Sequence, residues 1–213
     1  MSTPNQRNYG YGMAYALACE RLIKLEDIGQ QCRRCGARLQ VIDSHKAITI
    51  EYLNRFYCIT LPDIKISLMD CGEEVSLRDK LLLLHYFTQA KGTSLTNKII
   101  TYQELPEGTV YAPTFSKRAI KPILDTFGKE PQRLIEAAEK LGGHKADYGD
   151  VAVTINAFSR VPITLVLWRS DEEFAPAGNV LFDSTISDYL PTEDIIVLSE
   201  TVAWKLVRCL RDC

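Results

Sequence analysis

Three stretches of the chain combine residue types and spacings that can do chemistry. The first is CRRCG at 32–36. Cys-x-x-Cys-Gly opens a zinc ribbon, but a ribbon needs a second pair at matching spacing. Cys58 and Cys71 stand singly, and Cys209 and Cys213 are four apart. Cys32 and Cys35 are therefore candidate ligands of a metal or cluster only if other elements complete the set. The alternative is a pair of reduced thiols, buried or acidified by Arg33, Arg34 and Arg38.

The second stretch, SDEEFAPAGNVLFDSTISDYLPTED, fills 170–194. From Ser170 to Trp204 there are eight acids and no Lys or Arg, the chain's one marked electrostatic anomaly. Asp171, Glu172, Glu173, Asp183, Glu193 and Asp194, with Trp168 and Tyr189, are candidate ligand-binding residues. Carboxylates held a few ångströms apart raise one another's pKa or demand a cation. Such a site suits Mg²⁺ or Ca²⁺, a cationic small molecule, or a basic partner protein. The spacing fits no calcium loop. In the competing structural reading, Asp171–Glu173 solvate a loop, Asp183 closes a turn, and Glu193 and Asp194 serve a helix dipole.

The third stretch, YAPTFSKRA at 111–119, groups Tyr111, Phe115, Lys117 and Arg118. A helix starting at Ser116 would hold an anion with Lys117 and Arg118 beside it, or would simply be capped and solvated. Tyr111 and Arg118 join the candidate ligand-binding residues. A cleft shared by this patch and the acids would be dipolar. Of the three histidines, His85 falls in an apolar run and reads as a core residue, while His45 and His144 read as loop residues. No nucleophile elbow, phosphate loop or dinucleotide fingerprint is present.

These residues need elements to position them. Tyr11 to Gly36 reads as helix in two pieces, broken near Leu25-Glu26-Asp27, with Ala14, Leu17, Ala18, Leu22 and Leu25 as an inward stripe. AITIEY and FYCITL read as a hairpin turning at Leu53-Asn54-Arg55. Ser76, with Asp79 three residues on, opens a helix through LLLLHYFTQA to Gly92, too apolar for a surface helix. Ile99–Leu105 reads as a strand ended by Pro106-Glu107-Gly108. Residues 117–127 and 131–141 read as short helices, with Pro122 interrupting or delaying the first and Pro131 in the first turn of the second. DVAVTINAF, VPITLVLW and NVLFD read as strands. Thr192 caps a last helix to Leu210. In the 169–178 connection, Phe174 is expected to pin the loop by burying its ring, for about 1.5–3 kcal/mol.

The whole is expected to be one α+β domain over 1–213, a mostly antiparallel sheet packed with several helices and a long C-terminal helix. At 213 residues the chain can bury a core without disulfides or metal. With 46% hydrophobic and 24% charged residues it has globular composition. A net charge of −2 gives no case for nucleic acid. The longest apolar run, LLLLHYF, is too short to span a membrane, and MSTPNQRNYGYG lacks a signal peptide's apolar centre. The expected setting is cytoplasmic, with seven cysteines mostly reduced.

The run from PITLVLW through DEEF, LFD and YLPTED resembles the domain-of-unknown-function family number 3786, as do ELPEGTVYAPTFSKRA at 104–119 and the FG…LGG segment at 127–143. The resemblance implies a cytoplasmic protein of anaerobic bacteria or archaea. It also implies an association with iron–sulfur or corrinoid methyl-transfer systems, since some relatives carry an appended iron–sulfur domain. It implies no reaction. The functional expectation is a non-catalytic accessory or small-molecule or cofactor-binding protein of anaerobic one-carbon metabolism, with its site in the acidic loops. The alternatives are a divalent-cation-dependent hydrolase or group-transfer enzyme using those carboxylates, and an interaction module docking a basic partner through 171–194.

Overall fold

The computed structural model describes residues 4–42 and 45–211. The chain groups into two compact units: residues up to Thr93 together with Asp188–Leu190, and Ser94–Ser187 together with residues from Pro191 onward. Both units combine helices with strands, and every strand pair within each unit is antiparallel, so the fold is α+β.

In the first unit, helix α1 (Pro4–Ile23) and helix α2 (Ile28–Cys35) are separated at the expected break. Asp27 makes the second start: its carboxylate accepts from the Gln30 N–H at 2.8 Å. Gly36 ends it in the left-handed region at φ 71°. The inward stripe holds at Ala18 and Leu22, both buried, but Leu17 is half exposed and lies outside the core.

Strands β1 (Arg38–Ile42), β2 (His45–Tyr52), β3 (Arg55–Leu61) and β4 (Lys65–Leu68) form an antiparallel meander. Leu53 and Asn54, at φ 50° and 60°, make the two-residue turn between β2 and β3, the twist such a hairpin favours. Ile48 and Ile50 face the core as alternation requires. β1 and β4 were not expected. His45 is an exposed residue of β2, where a loop was expected.

Helix α3 (Leu77–Gln89) begins where Ser76 accepts from the Asp79 N–H at 3.1 Å, but it stops short of Gly92. Leu81 to Leu84 are all buried, and α1 and α2 pack against this helix. Its exit leaves carbonyls without intrahelical donors. The buried Gln31 amide supplies them, donating to the Phe87 and Ala90 oxygens at 2.6 and 3.0 Å.

In the second unit, β5 (Ile99–Thr101) runs into a 3₁₀ turn at Tyr102–Glu104, shortening the expected strand. Helix α4 (Gly108–Phe115), a π-helical turn (Ser116–Ile120) and helix α5 (Lys121–Phe127) follow as one continuous run. Pro113 and Pro122 bracket the π turn; neither can donate to a helical ladder, and the Lys121 N–H reaches back five residues to the Ser116 oxygen.

Helix α6 (Arg133–Glu139) starts two residues beyond Pro131. Strands β6 (His144–Ala146), β7 (Val151–Phe158), β8 (Val161–Trp168) and β9 (Ala177–Asp183) pair in sequence, and β5 pairs with β9. His144 is thus an exposed strand residue, where a loop was expected. β7 and β8 are buried on both faces, and the Thr154 and Thr164 hydroxyls satisfy one another across them at 2.8 Å.

Helix α7 (Thr192–Arg211) closes the chain. Thr192 is its first residue and not its cap. The Pro191 carbonyl accepts from the Ile195 N–H, and the Thr192 hydroxyl donates to the Pro106 oxygen at 2.8 Å. Among the described residues no helix is long and apolar enough to cross a membrane.

The Gln31 contact is directly checkable. Gln31→Met keeps the side chain's bulk but strips the donor from two buried carbonyls. Chemical denaturation is expected to show a loss of about 1–3 kcal/mol.

Candidate functional site

The two acidic loops leave β9 at opposite ends. Asp171, Glu172 and Glu173 precede Ala177; Asp183 is the strand's last residue. Six steps of about 3.3 Å put roughly 20 Å of strand between the two ends. Glu172 and Glu173 therefore do not meet Asp183 around one ligand.

At the near end, Trp168 finishes β8 opposite Ala177 and is partly exposed. Its indole packs against the turn at Gly149, where φ is +53° and an added Cβ would lie 3.1 Å from Nε1. The Asp150 carboxylate accepts from the Arg169 N–H at 2.8 Å and fixes the loop's start. Beyond it, the Asp171 carboxylate accepts from the N–H groups of Glu173 and Phe174 at 2.9 and 2.7 Å, while its own N–H donates to the Phe174 oxygen. Asp171 thus builds a closed turn from local backbone. Glu172 and Glu173 are exposed, and Phe174 is 67% exposed. The expectation that Phe174 pins the loop fails: the turn is held by Asp171, and the ring stands in solvent.

At the far end, Asp183 is 4% exposed. Its Oδ1 accepts from the N–H and hydroxyl of Thr96 at 3.3 and 3.1 Å and from those of Thr185 at 3.0 and 2.8 Å. Oδ2 accepts from the Asn97 N–H at 2.6 Å. Burial pushes the carboxyl's pKa up, but the hydrogen bonds from Thr185 and Thr96 outweigh it and leave the pKa below the ordinary value.

Asp188 and Tyr189 belong with the first unit. Lys91 donates to Asp188 at 2.8 Å and the Thr93 hydroxyl at 2.7 Å, and these contacts, the lysine's first, lower the Asp188 pKa. Tyr189 is fully buried; its ring stacks on Tyr86 at 6.0 Å and its hydroxyl donates to the Thr93 carbonyl. In the first turn of α7, Asp194 is buried and Glu193 exposed, both where the helix dipole favours negative charge.

The 111–119 stretch is arranged differently from the expected helix start. Ser116 lies inside a continuous helical run, and its N–H already donates to the Ala112 and Pro113 oxygens. No free N–H groups remain there for an anion. Tyr111 is partly exposed on α4, and Arg118 donates to Glu200 at 2.6 Å, an ion pair between partly buried side chains. Phe115 and Ser116 border a hollow of about 280 Å³ with Tyr102 and Asn179, whose described lining carries no charged residue. The acids and this patch do not share it.

Cys32 and Cys35 are buried on one face of α2. Burial, the largest influence, drives the Cys32 pKa up to about 11, against a smaller lowering by Arg33. At Cys32 the arginines therefore do not acidify the thiol. Among the described residues no group of three or more His, Cys, Asp or Glu side chains is arranged to hold a metal ion.

One grouping escaped the sequence reading. Arg169 and Ser170 border a hollow of about 480 Å³ with Lys129, Glu130 and Arg133, and Arg133 pairs with Glu130 at 3.3 Å. These bases are some 40 residues apart in the chain and no spacing rule links them. The only available hint was that Arg169 immediately precedes the acidic run.

A family model, described as Domain of unknown function (DUF3786), matches residues 27–204. The chain belongs to this family. No curated protein and no solved structure matches it.

Removing the charge of Asp183 tests its placement. Asp183→Asn turns an acceptor edge into a donor facing donors and is expected to cost about 1.5–3 kcal/mol near neutrality. The folded carboxyl binds its proton less tightly than the unfolded one, whose pKa is about 3.9. The increment is thus whole above that value and is lost as pH falls through the folded pKa. Acid titrations of stability should show this step in the wild type and lack it in the variant.

Proposed function

We propose that this member of the family is a non-catalytic interaction protein that docks a basic partner protein through the loop at 169–176. The observation that supports it is Phe174: a large aromatic ring, 67% exposed, held on a turn closed by Asp171 and flanked by the exposed Glu172 and Glu173. An aromatic in solvent on an ordered backbone contributes nothing to folding, yet it is the residue type that anchors interfaces. The flanking carboxylates add attraction for Lys and Arg at the loop's tip, while Arg169, Lys129 and Arg133 stand at its start.

Nothing in this reading requires the carboxylates to converge, which distinguishes it from a pocket for a cation or cofactor. The cytoplasmic setting and a link to anaerobic one-carbon metabolism belong to the same proposal. They rest on composition and on the family resemblance alone.

A photoreactive amino acid at position 174 tests the docking loop in native cells. The expected result is one predominant crosslinked protein with a Lys/Arg-rich contact surface. With that protein purified, Phe174→Ala is expected to weaken binding by roughly tenfold or more. Glu172→Gln with Glu173→Gln should chiefly slow association and flatten its salt dependence. Binding unchanged by all three substitutions would remove the proposal.

A further inference from the structure

We propose that the hollow at the root of the 169–176 loop binds a small soluble molecule through its phosphate or diphosphate group, with Lys129 and Arg169 as the holding cations. Phe174 takes no part in it, so the site stands apart from the docking surface. The hollow, of about 480 Å³, lies within the second unit and is bordered by residues 128–133 with Arg169 and Ser170. Ordinary small-molecule sites run from about 300 to 1,000 Å³.

Both walls are fixed by backbone hydrogen bonds. The Arg169 N–H donates to the Asp150 carboxylate at 2.8 Å. On the other wall the Gly128 N–H donates to the Leu124 oxygen, the Glu130 N–H to the Phe127 oxygen and the Arg133 N–H to the Glu130 oxygen, so Lys129 is carried on an ordered turn. Gly128 also ties that turn to the loop's far end: an added Cβ would lie 3.3 Å from Pro176 Cγ and 2.5 Å from the Leu124 oxygen.

The charges are unbalanced. The border holds Lys129, Arg133 and Arg169 against the single acid Glu130, and Glu130 pairs with Arg133 at 3.3 Å. Among the described residues no carboxylate pairs with the Lys129 or Arg169 side chain. Two cations thus border one hollow unanswered, one a planar fork and the other a point charge, with Ser170 and Gln132 as neutral donors. A phosphate group, close to a dianion at neutral pH, matches both: the fork takes two oxygens and the ammonium a third. A lone carboxylate would leave one cation unanswered. Glu130 in the wall and Asp171, Glu172 and Glu173 just beyond Ser170 repel the neighbouring phosphates of a nucleic acid or an anionic membrane. The site therefore favours a compact anion.

Isothermal titration calorimetry with pyrophosphate, at constant ionic strength, tests it. The wild type is expected to bind saturably, one to one, with a Kd of about 1 mM or tighter. Lys129→Gln with Arg169→Gln should weaken binding by roughly tenfold or more. Both side chains are exposed, so the melting temperature without pyrophosphate should match the wild type's. Phe174→Ala should bind pyrophosphate like the wild type, so that loss of docking and loss of the anion are read separately. A wild type that shows no saturable binding would overturn the assignment. So would a double variant that binds as tightly as the wild type, since the anion would then sit elsewhere, and so would a short single-stranded oligothymidine that binds as tightly as pyrophosphate.

Discussion

A carboxylate taken out of water must be met by donors, and the buried Asp183 is met by several. Five donors from Thr96, Asn97 and Thr185 surround it. The consequence reaches beyond one residue. Asp183 is the Cα partner of Ile99, so the chain that supplies the donors is the chain that enters β5. A three-residue strand has little stability of its own. Its position is set because the segment before it supplies three of the five donors to that buried charge. Asn97 adopts φ +58° in doing so, a conformation Asn tolerates better than most residues.

The same rule organises the exit of α3 in the first unit. Gln31 serves the Phe87 and Ala90 carbonyls from 56 and 59 residues away. Asp188 and Tyr189 serve Lys91 and Thr93 from 97 and 96 residues away. Each partner is distant in sequence, so the helix end is tied to parts of the chain made long before and long after it. Backbone groups at a helix end demand partners wherever they are shielded from water, and here long polar side chains reach in to provide them.

This explains which features could be read from the sequence. Ser76, Asp27's neighbourhood, the Leu53-Asn54 turn and Gly36 act through residues three or four positions away, and local spacing displays them. The alternation of Ile48 and Ile50 and the leucine run of α3 are legible for the same reason. β1 and β4 were missed because RLQVI and KISL are short, and their pairing is set by register with neighbours. α4 was missed because the helix was expected to start at Ser116 with Pro122 interrupting or delaying it, yet a π turn ahead of Pro122 joins α4 to α5. For the candidate site, residue types were legible but convergence was not. Whether Glu172 and Asp183 meet depends on the length of β9 between them, and Tyr189's burial depends on Tyr86, about a hundred positions earlier.

The carboxylates of 171–194 divide by what they accept from. Asp171, Asp183 and Asp188 are short side chains, and each accepts from N–H or hydroxyl groups held by nearby or crossing backbone. Glu172 and Glu173 carry one more methylene and remain in solvent. An Asp at 171 is what allows this division, since its reach matches the N–H groups two and three residues on. The turn it closes fixes Phe174 before any encounter. A partner that covers the ring then gains about 1.5–3 kcal/mol of burial while the loop's ordering cost, about 1–2 kcal/mol for each residue's backbone, has already been met in folding. A flexible loop of the same composition would lose most of that gain on binding. Under the docking proposal, the acidic stretch then matters less for its charge than for the one carboxylate that closes the turn.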